Sequence, residues 1–398
     1  MSELCFRCAG KGKCDRPVCI LKEHLHIRKS FNENSKKDFS GENYNVFVGH
    51  YGYPNVNVGL LNTDINTKDE TLDDPREWVS HRFDINDIIQ KRSMLINSNF
   101  KSNIRGFNDR LMDVFSEVSL SDRPVDTEIS LNKKPQFKLV FHNELSPHGP
   151  KVELEKARIT ENVHVPKKVD SVINDELKAT ESLNILHEKG FDNHYLTKIL
   201  SSGNLGLDTN KKLVPTRWSI TAVDDTVGKN IIAEIKEHKS IDNYQVYTGD
   251  YFGNYYIILM YPEVWSYELF ETMIGNKDSS HDFEKYYGRK DYATETVGGY
   301  YAARLSILER LQVMKRQSTV LALRFVSDEY WAPLGVWVVR QAVKNAMNNQ
   351  SINFNTKEDM IKYATEYVKR FGYELDGFLD KSVLHKEMNT QLRIKDYL

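Results

Sequence analysis

Val46-Phe-Val-Gly-His-Tyr-Gly-Tyr-Pro-Asn-Val-Asn-Val-Gly-Leu-Leu61 contains two short apolar runs separated by Gly49, Gly52 and Pro54. Val56, Val58 and Leu60 alternate with small or polar residues, the period of a half-buried strand. Strands therefore come early in the chain, and the elements after them decide the fold class. Asp74-Pro75 supplies an N-cap and a first helical position for a helix containing Trp78. Helical spacing continues over Ile85–Ile96 and Phe107–Leu120. Strands are expected at 125–131 and 136–142, then a polar turn, Ser146-Pro-His-Gly-Pro150. Asp170–Glu188 is helical, and Ser201-Ser-Gly-Asn-Leu-Gly206 breaks the pattern. Thr216–Asp224 is expected as a strand, Thr226–His238 as a helix and Tyr255–Met260 as a strand. Beyond a polar stretch at 275–282 helices dominate, at Ala302–Arg316, Gly335–Met347 and Thr356–Phe371, with one strand at Thr319–Phe325.

Strands and helices in irregular order predict an α+β fold. The expected organisation is a sheet-containing larger domain at 46–277 and a mainly helical smaller domain at 278–386. Before them lie a metal module (1–29) and a polar linker (30–45), and after them a flexible tail (387–398).

The chain has 398 residues, 40% of them hydrophobic and 11% aromatic, enough to supply real cores for two packed units. A net charge of −2 with 28% charged residues excludes wholesale electrostatic attraction to nucleic acid. A local excess of base exists at the amino end, where Arg7, Lys11, Lys13, Arg16, Lys22, Arg28 and Lys29 outnumber Glu3, Asp15 and Glu23. It serves either solubility around a small module or contact with a polyanion. No stretch approaches the ~20 apolar residues of a membrane span, and Met1-Ser-Glu-Leu-Cys5 lacks the regions of a signal peptide. A cytoplasmic protein is the expectation.

All four cysteines, Cys5, Cys8, Cys14 and Cys19, fall within the first 19 residues. Their spacing, C-x2-C-x5-C-x4-C, suits a tetrahedral zinc ion held by four thiolates. Two disulfides would be the alternative, but a long cysteine-free body argues for a reducing compartment. A closed four-thiolate site organises structure and has no open position for catalysis.

The chain ends Gln391-Leu-Arg-Ile394-Lys-Asp-Tyr397-Leu398. A glutamine, an aliphatic residue three positions on, then an aromatic and a large apolar residue form the PIP pattern, which docks on the DNA polymerase sliding clamp (PCNA). One 3₁₀ turn would gather Ile394, Tyr397 and Leu398 into an apolar plug while Gln391 reaches a side pocket. Arg393, Lys395 and Lys386 would favour an acidic clamp surface. Leu398 departs from the usual second aromatic, and an amphipathic tail folded on its own protein is the alternative.

In the body, Leu213-Val-Pro-Thr-Arg-Trp-Ser-Ile-Thr-Ala-Val-Asp-Asp225 is dense in polar side chains. On a strand, Arg217, Ser219 and Thr221 would share one face, with Asp224 and Asp225 at its end, where acids hold Mg²⁺ or place a base. Asp225 reads equally as an N-cap of the following helix. A second cluster contains Asp282, Glu284 and Arg289, followed by Arg304 on a helix that opens with Gly298-Gly299. These residues define a candidate ligand pocket or an ion-pair network. No phosphate-binding loop, complete dinucleotide fingerprint, nucleophile elbow or metalloprotease helix is present.

The chain resembles the archaeal Nre DNA-repair family nearly end to end. The resemblance rests on the four-cysteine module, Gly52-Tyr53-Pro54 with Val56-Asn-Val58-Gly59, Leu200-Ser-Ser-Gly203-Asn-Leu205-Gly206 and the run at 213–225. It continues through Gly288-Arg289, Gly299-Tyr-Tyr-Ala302, Arg316-Gln317 and Pro333-Leu-Gly-Val-Trp337. It implies a role in DNA-damage repair, zinc at the four cysteines, clamp binding through 391–398, and two domains. It assigns no catalytic residues. Two functions are therefore expected in competition. One is a clamp-tethered repair factor that contacts DNA. The other is a nuclease or nucleotide-processing enzyme, dependent on Mg²⁺ or Mn²⁺, using Asp224, Asp225, Asp282 or Glu284 with Arg217 and Arg289.

Overall fold

The computed structural model describes residues 35–64, 69–136 and 149–390. The zinc module, the strand expected at 136–142 (Gln136 apart) and the clamp motif at 391–398 lie outside the described residues. The chain divides into two compact units, 1–226 with 332–334, and 227–331 with 335–398. The fold is α+β, with one sheet system in each unit.

The first unit is a closed five-stranded barrel of β1 (Asp38–Val48), β2 (Asn55–Asn62), β3 (Ile96–Asn103), β4 (Val125–Leu131) and β5 (Lys151–Ile159). The strand order is β1-β2-β3-β5-β4, closing back on β1, with β3 and β5 parallel and the other pairs antiparallel. Val56, Val58 and Leu60 point inward, as their alternation predicts, and meet Val46, Phe100, Ile129 and Leu154. Between β1 and β2 the chain turns at Gly52, whose φ of +80° disfavours any side chain; Asn55 N–H donates to its carbonyl at 2.9 Å.

Two short helices, α1 (Pro75–Ser80) and α2 (Ile85–Ser93), separate β2 from β3. Asp74 caps α1 by accepting from Arg76 N at 2.8 Å, and Trp78 is fully buried beneath the guanidinium of Arg92. Helix α3 (Arg110–Leu120) lies between β3 and β4 and adds Met112, Phe115 and Val118 to the barrel core. Helices α4 (Lys167–Asn174), α5 (Ala179–Glu188) and α6 (Asn193–Ser201) follow.

Several expectations change here. Residues 38–45, expected in a linker, begin β1, because their polar side chains find partners on the paired strand β4: the buried Asn43 donates to Thr127. The helix expected over 85–96 stops at Ser93, and Ile96-Asn-Ser-Asn-Phe-Lys-Ser-Asn103 is a strand despite weak β propensity, held by pairing to β2. The helix expected over 170–188 is two, interrupted where Asp175 turns extended.

The largest correction is at 216–224, where Thr216–Ile235 is one continuous helix, α7. Pro215 starts it, accepting from Trp218 N at 2.8 Å and Ser219 N at 3.0 Å. β-branched Thr216, Ile220, Thr221 and Val223 suggest a strand locally, but burial falls on Ser219, Val223, Val227, Ile231 and Ile235, a helical spacing. The division between the two units falls within this helix.

The second unit is built on a six-stranded mixed sheet, ordered β11-β6-β7-β10-β8-β9. Its strands are β6 (Tyr244–Tyr251), β7 (Asn254–Tyr261), β8 (Ser266–Met273), β9 (Ser280–Glu284), β10 (Thr319–Val326) and β11 (Ile352–Phe354). Its helices are α8 (Val297–Met314), α9 (Trp337–Asn348), α10 (Lys357–Lys369), α11 (Asp376–Leu379) and α12 (Val383–Thr390). Residues 278–386, expected as a mainly helical domain, thus also give three strands to a sheet that begins before them. One sheet face carries Ile257, Leu259, Phe270, Leu323 and Phe325 against Met360, Val368 and Phe378.

Residues 387–390, expected in a flexible tail, are the last turn of α12. Met388 packs against this core, and Lys285 pairs with Glu387 at 3.1 Å. The helix begins on a buried carboxylate: Glu268 of β8 accepts from Ser382 Oγ, Val383 N and Leu384 N.

Phe115 is fully buried in the barrel core, so Phe115→Ala should lower unfolding stability by about 3–5 kcal/mol. Urea denaturation followed by circular dichroism would measure it, and a loss under about 1 kcal/mol would show that α3 does not close the barrel.

Candidate functional site

The eight polar residues singled out in the body fall into two groups. Arg217, Ser219, Asp224 and Asp225 lie on α7 in the first unit, and helical geometry separates them. Arg217 is exposed, Ser219 is fully buried with its hydroxyl donating to Val214 O at 3.3 Å, and Asp224 is fully buried. Asn193, the first residue of α6, donates to Asp224 at 2.9 Å. Asp225 sits in mid-helix and is no N-cap, because the helix starts nine residues earlier.

Asp282, Glu284, Arg289 and Arg304 form the second group, in the second unit. Glu284 of β9 and Arg304 of α8 are both essentially without solvent and meet at 2.6 Å. Trp265 Nε1 donates to the other oxygen of Glu284 at 3.1 Å, and the Arg304 guanidinium lies over the rings of Tyr300 and Tyr301. Asp282 accepts from Arg289 Nη2 at 2.9 Å, Glu295 N at 3.0 Å, Thr296 N at 2.8 Å and Thr296 Oγ1 at 2.9 Å. Burial alone would push the Asp282 carboxyl up, but the Thr296 donors and Arg289 outweigh it and hold it below the usual carboxylate range. Both acids spend their lone pairs on protein donors, which is the geometry of a structural network. Among the described residues, no group of three or more His, Cys, Asp or Glu is placed to hold a metal ion.

Sequence reasoning missed two features. Lys198 is buried on α6, where loss of solvent holds its ammonium down to about 8, and it donates to Ser121 O at 2.5 Å. Only the apolar setting Tyr195-Leu-Thr-Lys-Ile-Leu200 hints at it. The second feature is a surface at one end of the barrel, where Tyr51 is 77% exposed, Tyr53 44% and Trp218 46%. Tyr53 and Trp218 meet with ring centroids 5.3 Å apart, and His50 lies 4.0 Å from Tyr51.

Hydrogen bonds tie three distant segments into that surface. Ile104 N–H donates to Pro54 O at 2.9 Å, Leu213 N–H to Ile104 O at 2.8 Å, and Val48 N–H to Thr216 Oγ1 at 2.9 Å. Gly203, at φ +77°, brings α6's end onto the same place; a Cβ there would stand 2.8 Å from Lys212 O. No Asp or Glu occurs in 46–61, 94–108 or 209–223. Those segments present exposed Lys101, Arg105, Lys212 and Arg217, none in an ion pair among the described residues. The signal was in the sequence as these acid-free stretches, but their adjacency is a product of folding.

A Greek-key barrel and a six-stranded mixed sheet, with a continuous helix through the division and an aromatic, cationic surface on the barrel, define a two-unit α+β protein. Its family is found by comparison. Residues 13–277 match the family model described as archaeal Nre, N-terminal, and 284–397 match archaeal Nre, C-terminal. The chain is 35% identical over 366 residues to DNA repair protein NreA of Haloferax volcanii, covering 87% of each chain. It is 32% identical over 393 residues to DNA repair protein NreB of Archaeoglobus fulgidus, covering 96% of this chain and 97% of that one. No solved structure matches. The chain belongs to the archaeal Nre family.

Arg304→Met should cost about 3–5 kcal/mol, because Glu284 would be left as an unpaired buried charge. Adding Glu284→Leu should recover most of that loss. Asp282, held low in the folded state, contributes stability above its unfolded range near pH 4 that is lost as pH falls. Asp282→Asn should therefore flatten the acid limb of urea midpoints measured from pH 7 to 3; an unchanged limb would show that Asp282 is not held low.

Proposed function

We propose that this protein acts in DNA-damage repair, contacting DNA and docking on the DNA polymerase sliding clamp through Gln391, Ile394, Tyr397 and Leu398. Membership of the archaeal Nre family carries the repair role, since relatives matched over nearly their whole length are named DNA repair proteins. The acid-free segments 46–61, 94–108 and 209–223, with their exposed cations, support contact with a polyanion, despite a net charge of −2 for the whole chain. The clamp reading is supported by the terminal sequence and by its position. In sequence it follows directly on α12, whose start is held by Glu268.

Cys5, Cys8, Cys14 and Cys19 would hold one zinc ion, whose part is to fold the amino-terminal module. The donor set fits: four thiolates satisfy a tetrahedral ion and leave no position for substrate. This zinc would supply structure, and Arg7, Lys11, Lys13 and Arg16, interleaved with the cysteines in sequence, would add positive charge to the module.

Deleting 391–398 should abolish clamp binding measured by calorimetry while leaving folding and zinc content unchanged. The full chain should bind at an affinity on the order of micromolar. Tyr397→Ala should weaken binding more than Lys395→Ala, since one loses buried area and the other a screened rim charge. Equal affinity of the truncated chain would refute the clamp reading. Elemental analysis should give close to one zinc per chain, lost in Cys5→Ser/Cys8→Ser; a zinc-free wild-type protein would refute the metal assignment.

A further inference from the structure

We infer that the barrel end formed by Tyr51, Tyr53 and Trp218 is a binding site for single-stranded DNA, whose bases stack on these rings. The inference rests on the proposal that the protein contacts DNA, and specifies where and in which form.

Five aromatic side chains are strongly exposed among the described residues, Tyr51, Tyr53, Trp218, Tyr287 and Tyr292, and three of them share this surface. Exposed Trp and Tyr side by side present aromatic surface to solvent that a further flat ring can cover. Duplex DNA offers no free base face, because every base is already stacked between neighbours. Unpaired bases do, and each contributes about 1–3 kcal/mol on an aromatic platform, with little sequence preference.

Lys101, Arg105 and Arg217 emerge from the segments that carry or border the rings, with no Asp or Glu in those segments. Lys101 lies opposite Asn57 in the β2–β3 register, and Asn103 opposite Asn55. The outer face of β2–β3 at this end thus presents cations and amides, suited to phosphates and base edges.

A five-stranded barrel ordered β1-β2-β3-β5-β4, with a parallel β3–β5 pair and a helix between β3 and β4, has the connectivity of the OB barrel. Barrels of this kind take oligonucleotides on the face of strands 2 and 3 and on the loop between strands 1 and 2. Tyr51 and Tyr53 occupy that loop. Helices α1 and α2, inserted between β2 and β3, lead to a small core of Leu61, Leu72 and Leu95 beside the far end of these strands, whereas Asn55, Lys101 and Asn103 stay exposed.

The test is fluorescence anisotropy of the full-length protein with a labelled 20-nucleotide single strand, its duplex and the matching RNA. The single strand should bind more tightly than the duplex, and intrinsic tryptophan emission should fall on binding. Trp218→Ala and Tyr51→Ala/Tyr53→Ala should each weaken single-strand binding about 10-fold or more, with unchanged thermal melting, whereas Trp218→Phe should keep most of it. If wild type binds DNA but both alanine variants match it within about twofold, this site is wrong and the DNA-contact reading stands. If wild type prefers the duplex or the RNA, the assignment to single-stranded DNA is overturned. If wild type binds no nucleic acid, the DNA-contact reading falls as well.

Discussion

One hydroxyl, that of Thr216, fixes the arrangement on which the first unit's surface depends. It accepts from Val48 N–H at the end of β1 and shares a hydrogen bond of 3.0 Å with Ser201 at the end of α6. Ser201 Oγ also reaches Val214 O at 2.8 Å. Barrel, α6 and the start of α7 are thereby pinned within one turn of helix. Each bond is worth only about 1 kcal/mol net, but an unmade bond at a partly buried amide would cost more. The consequence is positional: with Thr216 fixed, Trp218 must emerge beside Tyr53. Gly203 is part of the same constraint, since only its left-handed backbone lets α6 end against Lys212.

The second unit obeys a different constraint, that of charge without solvent. Its sheet has one apolar face and one face where Tyr256, Arg324 and Glu271 lie in register across β7, β10 and β8. Arg324 meets Glu271 at 2.7 Å, and Glu284 meets Arg304 beneath α8. Such pairs gain little against apolar side chains of equal volume, yet are expensive to break. Arg324–Glu271 joins two neighbouring strands, and Glu284–Arg304 joins β9 to α8. Glu268 extends the logic to the other face, where a buried carboxylate is satisfied by the amides that open α12. The carboxyl-terminal stem is therefore tied to the sheet's interior.

How much of this was legible in the sequence depends on how local the deciding interactions are. Val56, Val58 and Leu60 announce β2 by alternation, and Asp74-Pro75 announces α1 by capping, because both signals are complete within a few residues. Helices at 297–314, 337–348 and 357–369 were legible for the same reason. Ile96–Asn103 was not, since its asparagines and serines form a strand only when β2 supplies the ladder. Thr216–Asp224 misled: its β-branched residues carry a strand preference that Pro215 and burial on a period near four override. The candidate acids were recognisable as a group, but whether an aspartate is a ligand or an anchor depends on its donors. For Asp282 and Glu284 those donors are Thr296, Arg289, Arg304 and Trp265. Tyr51 and Tyr53 stand far from Trp218 in the chain, and only hydrogen bonds between distant segments, through Ile104, Leu213 and Thr216, bring them to one surface.

Photocrosslinking reads most directly whether DNA lies at the barrel end. Full-length protein would be irradiated with a single strand carrying halogenated pyrimidines, digested, and mapped by mass spectrometry. Adducts concentrated on Tyr51, Tyr53 and Trp218 are the predicted result. Efficient crosslinking confined to other peptides, with the 46–61 and 213–225 segments unmodified, would contradict it.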